Sequence, residues 1–196
     1  MLELIERKRL MQLLVSHSLY LKPVTLSSGK MSNYYFDGKM VATHPEGSPL
    51  IAKAIRDLIG DTEIDAVGGP IIGAVPILGA LSGRGYFRTF FIRKEPKSHG
   101  LSKWIEGQLS DQDKRVIIID DVATTGGSIL RAINKVKEEF PQIEVIKVIV
   151  LVDREEGAKE NLEKQGYVLE SVFLGSNLLK VAQEDKRINS ICSKAA

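Results

Sequence analysis

The chain of 196 residues has a single cysteine, Cys192. A lone cysteine excludes an internal disulfide and suits a reducing, cytoplasmic setting. Its place near the C-terminus also argues against a catalytic thiol, because chain ends hold nucleophiles poorly. No excess of one charge sign exists: 27 Lys and Arg stand against 25 Asp and Glu. That balance excludes a wholly polybasic nucleic-acid binder, and no nucleic-acid partner is expected. Long apolar runs are also missing. The most apolar stretch, IIGAVPILGAL over 71–81, is broken by Gly and Pro and is too short to cross a bilayer. The opening MLELIERKRLMQLLV carries acids among its bases and has the character of neither a signal nor a transit peptide. A membrane role is not expected. Internal repeats and low-complexity tracts are absent, and the sequence GxxxxGK[ST] occurs nowhere, since Gly29-Lys30 and Gly38-Lys39 are each followed by Met.

What is present is an alternating pattern. Apolar residues at helical spacing (Ile5, Leu10, Leu13, Leu14) predict a helix over 4–19. A second is predicted over 45–60, with Ser48 as cap, Pro49 in its first turn and Gly60 as its stop. From Asp65 onward, strand-like runs at 66–68, 87–92, 116–120, 145–152 and 167–173 alternate with helical segments at 74–81, 128–140 and 156–165. Runs such as VIII and VIKVIVLV are apolar on both faces, as strands covered by helices on both sides must be. The reading is an α/β fold, a doubly wound parallel sheet flanked by helices. It is expected to form one domain: an N-terminal helix and hood segment (1–45), an α/β core (46–175) and a C-terminal helix or tail (176–196). In such sheets ligands sit beyond the carboxyl ends of the strands.

Four predicted strand ends carry candidate chemistry. In RVIIIDDVATTGGSIL the strand delivers Asp120 and Asp121, then runs through Val122, Ala123, Thr124, Thr125, Gly126 and Gly127 into a helix near Ser128. Amides at a helix start, aided by its dipole, make an anion site, and the glycines let the backbone come close. The carboxylates are acceptors and suit the two hydroxyls of a ribose diol. A strand, a capping acid and a turn would explain one of these residues but not the ordered set. The second end, GGPIIGAVP, frames a turn able to present amides to an anion, or simply a tight turn with close helix packing. The third, FIRKEPKSHGLSKWIEG, brings Arg93, Lys94, Lys97, His99 and Lys103 against only Glu95 and Glu106, in a long loop with Pro and Gly. A polyanion such as pyrophosphate fits it, and a long loop at that edge is a candidate lid. The fourth, VLVDREEGA, ends in Arg154, a fork for a carboxylate or the partner of an exposed ion pair.

Together these segments resemble the type I phosphoribosyltransferases and, within them, the orotate-using branch. DDVATTGGS is similar to the superfamily's phosphoribosyl-pyrophosphate motif. SSGKMSNYYFDGK, RKEPKSHG and VDREEGA resemble that branch's N-terminal substrate segment, catalytic loop and orotate-binding strand end. The resemblance implies transfer of a phosphoribosyl group from phosphoribosyl pyrophosphate to orotate, with Mg²⁺ as cofactor, held mainly through substrate and water. It implies that Arg93, Lys94, Lys97, His99 and the residues Asp120 to Ser128 hold the donor. Lys97, His99 and Asp121 would be catalytic, while Thr124, Arg154, Tyr35 and Phe36 would meet orotate. It also implies a homodimer whose subunits share the loop. Some members carry lysines where this chain has Ser27 and Gly73, so those contacts are not carried over. A transferase for another base, or a non-catalytic sensor of the donor, remains an alternative; the first has no need of Arg154, and the second would call for an appended DNA-binding domain or a marked basic face rather than the whole cationic loop.

Overall fold

A computed structural model describes residues 2–25, 31–96 and 103–184 of the chain. Its centre is a six-stranded sheet in the order β10-β9-β8-β5-β6-β7. The strands are β5 (Ala66–Pro70), β6 (Thr89–Ile92), β7 (Ile105–Gly107), β8 (Arg115–Ala123), β9 (Glu144–Asp153) and β10 (Leu169–Leu174). All neighbours run parallel except β7, which returns antiparallel against β6. That strand was not expected. Three residues are too few to show a period, and the segment reads as the tail of the cationic loop.

Alternation along the strands explains the two-faced apolar runs. Ile117 and Ile119 of β8 join one core with Ile149 and Leu151 of β9, while Val116 and Ile118 join the other with Val148 and Val150. Each of these is fully buried, and such a side chain contributes about 1.5–3 kcal/mol relative to exposure. A slip of one residue would exchange the faces and misplace every side chain beyond. The first core is closed by α1 (Leu4–His17), α2 (Lys39–Ala42), α3 (Gly47–Ile59), α4 (Val75–Gly83) and α7 (Gly175–Glu184). The second is closed by α5 (Gly127–Glu139) and α6 (Ala158–Glu163). Two short antiparallel pairs precede the core: β1 (Leu19–Tyr20) with β4 (Tyr35–Phe36), and β2 (Val24–Thr25) with β3 (Met31–Ser32).

Several boundaries differ from the sequence reading for local reasons. Helix α1 ends at His17, and Ile5 is 78% exposed rather than core. Ser48 does not cap α3. The helix begins at Gly47, and His44 Nδ1 accepts from the Glu46 and Gly47 amides instead. Helix α6 starts at Ala158, not 156, because Glu155 and Gly157 sit at φ 59° and 99°, outside helical space.

Strand order fixes where a ligand can enter. The chain leaves β5 through α4 to β6 on one side, whereas β8 leaves through α5 to β9 on the other. Helices α4 and α5 lie on opposite faces, so the β5–β8 boundary is the topological switch point. Glycine lets the two strands meet there. A Cβ on Gly69 would come to 2.1 Å from the Ile119 carbonyl oxygen of β8.

Candidate active site

A cleft of about 550 Å³ opens at this switch point. Asp120, Asp121 and Val122 line it from β8, Pro70 to Gly73 from the β5–α4 turn, and Arg93 and Lys94 from the end of β6. Ser128, Arg131 and Lys135 enter from α5, and Tyr35 and Lys39 from the N-terminal segment.

The acidic pair is built into the floor. Asp120 is 5% exposed, and the Asp121 amide donates to its Oδ1 at 2.9 Å. The Val122 amide donates to Asp121 Oδ1, also at 2.9 Å. Burial, then the neighbouring Asp121, pushes the Asp120 carboxyl well above its ordinary value. Burial also raises Asp121, against the pull of Lys39, whose Nζ lies 3.7 Å from Asp121 Oδ2. Burial alone would lower Lys39, but Asp37 and Asp121 together hold it above the usual lysine range. Gly73 brings the β5–α4 turn against both acids: a Cβ there would lie 2.4 Å from Asp121 Oδ1 and 2.8 Å from Asp120 Oδ1. The turn therefore presents backbone, not a side chain, to the carboxylates.

Strand β8 runs on to Ala123, and α5 starts at Gly127 after Gly126 at φ 77°. A left-handed residue there turns the chain sharply into the helix. The first amides of α5 have no acceptor within the helix and so can meet an anion. The turn is held from outside: Asn161 Nδ2 donates to the Thr125 carbonyl at 2.9 Å, and the Arg154 amide to the Ala123 carbonyl at 2.9 Å. Of the sequence-predicted set, Asp120, Asp121, Val122, Ser128, Arg93, Lys94 and Tyr35 line the cleft, whereas Ala123 ends β8, Thr124 to Gly126 form the turn and Gly127 opens α5.

Arg154 is not the exposed fork that a strand end suggested. It is 3% exposed and packed behind the wall, with its guanidinium 4.3 Å from the Tyr34 ring centroid. One terminal nitrogen donates to Ser32 Oγ (2.8 Å) and the Tyr34 carbonyl (3.2 Å), and also meets Glu156 at 2.7 Å. Its buried Nε has no hydrogen-bond partner. Leaving such a donor unmet costs about 1–3 kcal/mol. Phe36 is 3% exposed in the first core, so only its backbone is available to a ligand, and the ring beside Arg154 is that of Tyr34. Lys97, His99, Ser27 and Cys192 lie outside the described residues.

Sequence reasoning missed Lys39, Arg131 and Lys135. Lys39 closes the substrate-like segment SSGKMSNYYFDGK, which gives that lysine no role of its own. Arg131 and Lys135 sit four residues apart, the spacing of one helix face, on the helix that the Thr124 to Gly126 turn opens. That spacing was the available signal.

A nucleotide-type cleft at the switch point, acids on its floor and a helix start at its end define a phosphoribosyl-handling α/β protein. The family described as "Phosphoribosyl transferase domain" accordingly matches residues 37–175. The orotate phosphoribosyltransferase of Pyrococcus abyssi is 47% identical over 164 residues, covering 82% of this chain and 88% of the relative. That of Aquifex aeolicus is 43% identical over 184 residues, covering 90% and 99%. A Mycobacterium tuberculosis orotate phosphoribosyltransferase, solved in complex with 5-phospho-α-D-ribosyl 1-diphosphate, superposes with a TM-score of 0.73. It shares 34% identity over 88% of this chain and 98% of that one. The chain belongs to the phosphoribosyltransferase family and, within it, to the orotate phosphoribosyltransferases.

Proposed function

We propose that the cleft transfers the 5-phosphoribosyl group from phosphoribosyl pyrophosphate to orotate, giving orotidine 5′-monophosphate and pyrophosphate. The observation that carries this reading is the convergence, at one switch point, of a buried acid pair, a helix-start turn and a cationic strand end. The 5-phosphate belongs on the turn Thr124 to Ser128, where amides and the α5 dipole favour it. Asp120 and Asp121 accept from the two ring hydroxyls. As the bond to pyrophosphate breaks and the base nitrogen bonds to the anomeric carbon, positive charge grows on the ring, and Asp121 faces it. Arg93 and Lys94 receive the diphosphate. Lys97 and His99 keep the leaving-group role that the family resemblance gives them. Loop and cleft together would exclude water from the reacting centre.

Arg154 supports orotate over a neutral base. By the family resemblance its guanidinium faces the base, where a fixed positive charge favours a carboxylate over a neutral base. Thr124 and the backbone at Tyr35 and Phe36 complete that side. The acid pair also fits Mg²⁺. Two hard oxygen donors stand together, and no group of three metal-binding side chains occurs among the described residues. Such a pair suits an ion whose other ligands are substrate oxygens and water. When bound, Mg²⁺ would neutralise charge on the diphosphate.

No helix among the described residues is long and apolar enough to cross a membrane. The single cysteine supports a reducing, cytoplasmic setting. A homodimer sharing the loop and a single-domain chain complete the proposal. The test is the purified chain with Mg²⁺, the donor and a panel of bases, following orotate absorbance. Orotate alone should be consumed; turnover of adenine or uracil in its place would overturn the assignment.

A further inference from the structure

Lys135 lines the cleft, yet most of its donors are already engaged. Lys135 Nζ donates to the Arg93 carbonyl at 2.9 Å and the Lys94 carbonyl at 2.7 Å, and it lies 3.9 Å from the Trp104 ring centroid. One turn further along α5, Glu139 Oε2 accepts from the Trp104 amide (2.8 Å) and the Ile105 amide (3.2 Å). Between these anchors the Arg93 amide donates to the Trp104 carbonyl at 2.9 Å. A cation thus binds two carbonyls on the outgoing stem and a carboxylate binds two amides on the returning one. The two groups are four residues apart on one helix face. Both stems are bound to the helix whose first turn forms the phosphate turn.

We infer that Lys135 and Glu139 are positioning residues for the donor. They clamp the two stems of the β6–β7 connection to α5 and thereby hold Arg93 and Lys94 at the diphosphate end of the cleft. The inference rests on the donor site proposed above. It gives α5 two tasks: its N-terminus meets the 5-phosphate, and its last two turns set the distance from there to the cations. Two ammonium protons of Lys135 are directed at carbonyls and the ring takes the remaining face, so its role is geometric and not that of a direct phosphate ligand.

Glu139 separates this from plain electrostatics. Removing a negative charge near an anion site should tighten donor binding, whereas loss of the clamp should weaken it. Glu139→Ala is expected to raise the donor KM roughly five-fold or more, with orotate KM and Tm little changed. Glu139→Gln keeps an acceptor oxygen and should return the donor KM to within about two-fold of wild type. Lys135→Met should raise the donor KM further. It should also change the emission of Trp104, the only tryptophan in the chain, because the ammonium against its ring is gone. A donor KM that stays unchanged or falls in Glu139→Ala overturns the clamp, even where Lys135→Met does not fold. The proposed function is judged separately, by wild-type turnover of orotate.

Discussion

The end of β8 and the end of β6 face one cleft but are built on opposite principles. Asp120 and Asp121 are sunk in the floor, each held by the amide of the next residue and backed by Gly73. Arg93, by contrast, is 36% exposed at its side chain and rests on a rim partner, Glu106, at 3.1 Å. The acids are fixed before any ligand arrives, and the desolvation of like charges side by side opposes folding. The cations are held through their carbonyls while their side chains stay in solvent, where an ion pair contributes little. One strand end is pre-organised at the expense of stability. The other keeps its charge available and depends on clamped backbone for position.

Replacing the acids should break this contrast most completely. Asp120→Asn with Asp121→Asn is expected to lower kcat/KM for the donor by roughly a hundred-fold or more, in the range seen when a charge-stabilising group is removed from an active site. The same variant should be more stable than wild type at neutral pH. Burial raises the folded carboxyls above the ordinary value of 3.8, so the folded state binds more protons than the unfolded chain once the pH exceeds that value. Their stabilising contribution is full below 3.8 and is lost as the pH rises through the raised folded values. The Tm advantage of the amides should therefore be small in acid and grow to a few degrees by neutral pH. Thermal melts across that range check it; an advantage that shrinks with rising pH would contradict the assignment.

Gly73→Ala should give an intermediate effect at the same strand end. Its methyl would press on both carboxylates from 2.4 Å and 2.8 Å, so either the turn or the acids must move. A displacement of an ångström in a positioned group can lower turnover about a hundred-fold. A loss of roughly ten-fold in kcat/KM is expected here, since carboxylates can rotate, with the donor KM affected before the orotate KM. Equal effects on both substrates would mean that the turn does not set the donor geometry.

How far these regions could be read from the sequence follows the same division. The acid pair, the glycines and the helix start are contiguous from Asp120 to Ser128, and each residue type has a local physical reason, so the sequence carried that end. The other side is assembled across the fold. Lys39 arrives from α2, Arg131 and Lys135 from α5, and Trp104 returns just before a strand of three residues that shows no period. Arg154 was legible as a charged fork by residue type, but its burial was not. Its neighbours Ser32 and Tyr34 lie more than a hundred residues away in sequence, and only tertiary contacts make that connection.

At the rim the expected changes are smallest and most dependent on conditions. Arg93 shares its guanidinium between Glu106 and the Glu95 carbonyl, the latter at 3.2 Å. In Arg93→Ala a diphosphate loses one exposed, charged donor but keeps Lys94 and the backbone stem. The donor KM should rise roughly five-fold, near the weak end for charge-assisted contacts because solvent competes. Screening decides whether this is the correct account. At low ionic strength the wild type should gain more affinity for the donor than Arg93→Ala, so the ratio of their KM values should narrow as salt is added. Glu106→Gln tests the same site in the opposite direction: releasing Arg93 from its rim partner should lower the donor KM slightly at low salt and leave it unchanged at high salt. A ratio for Arg93→Ala that is independent of salt would place that side chain in a dry, fixed contact like those of Asp120 and Asp121, and the contrast between the two strand ends would not hold.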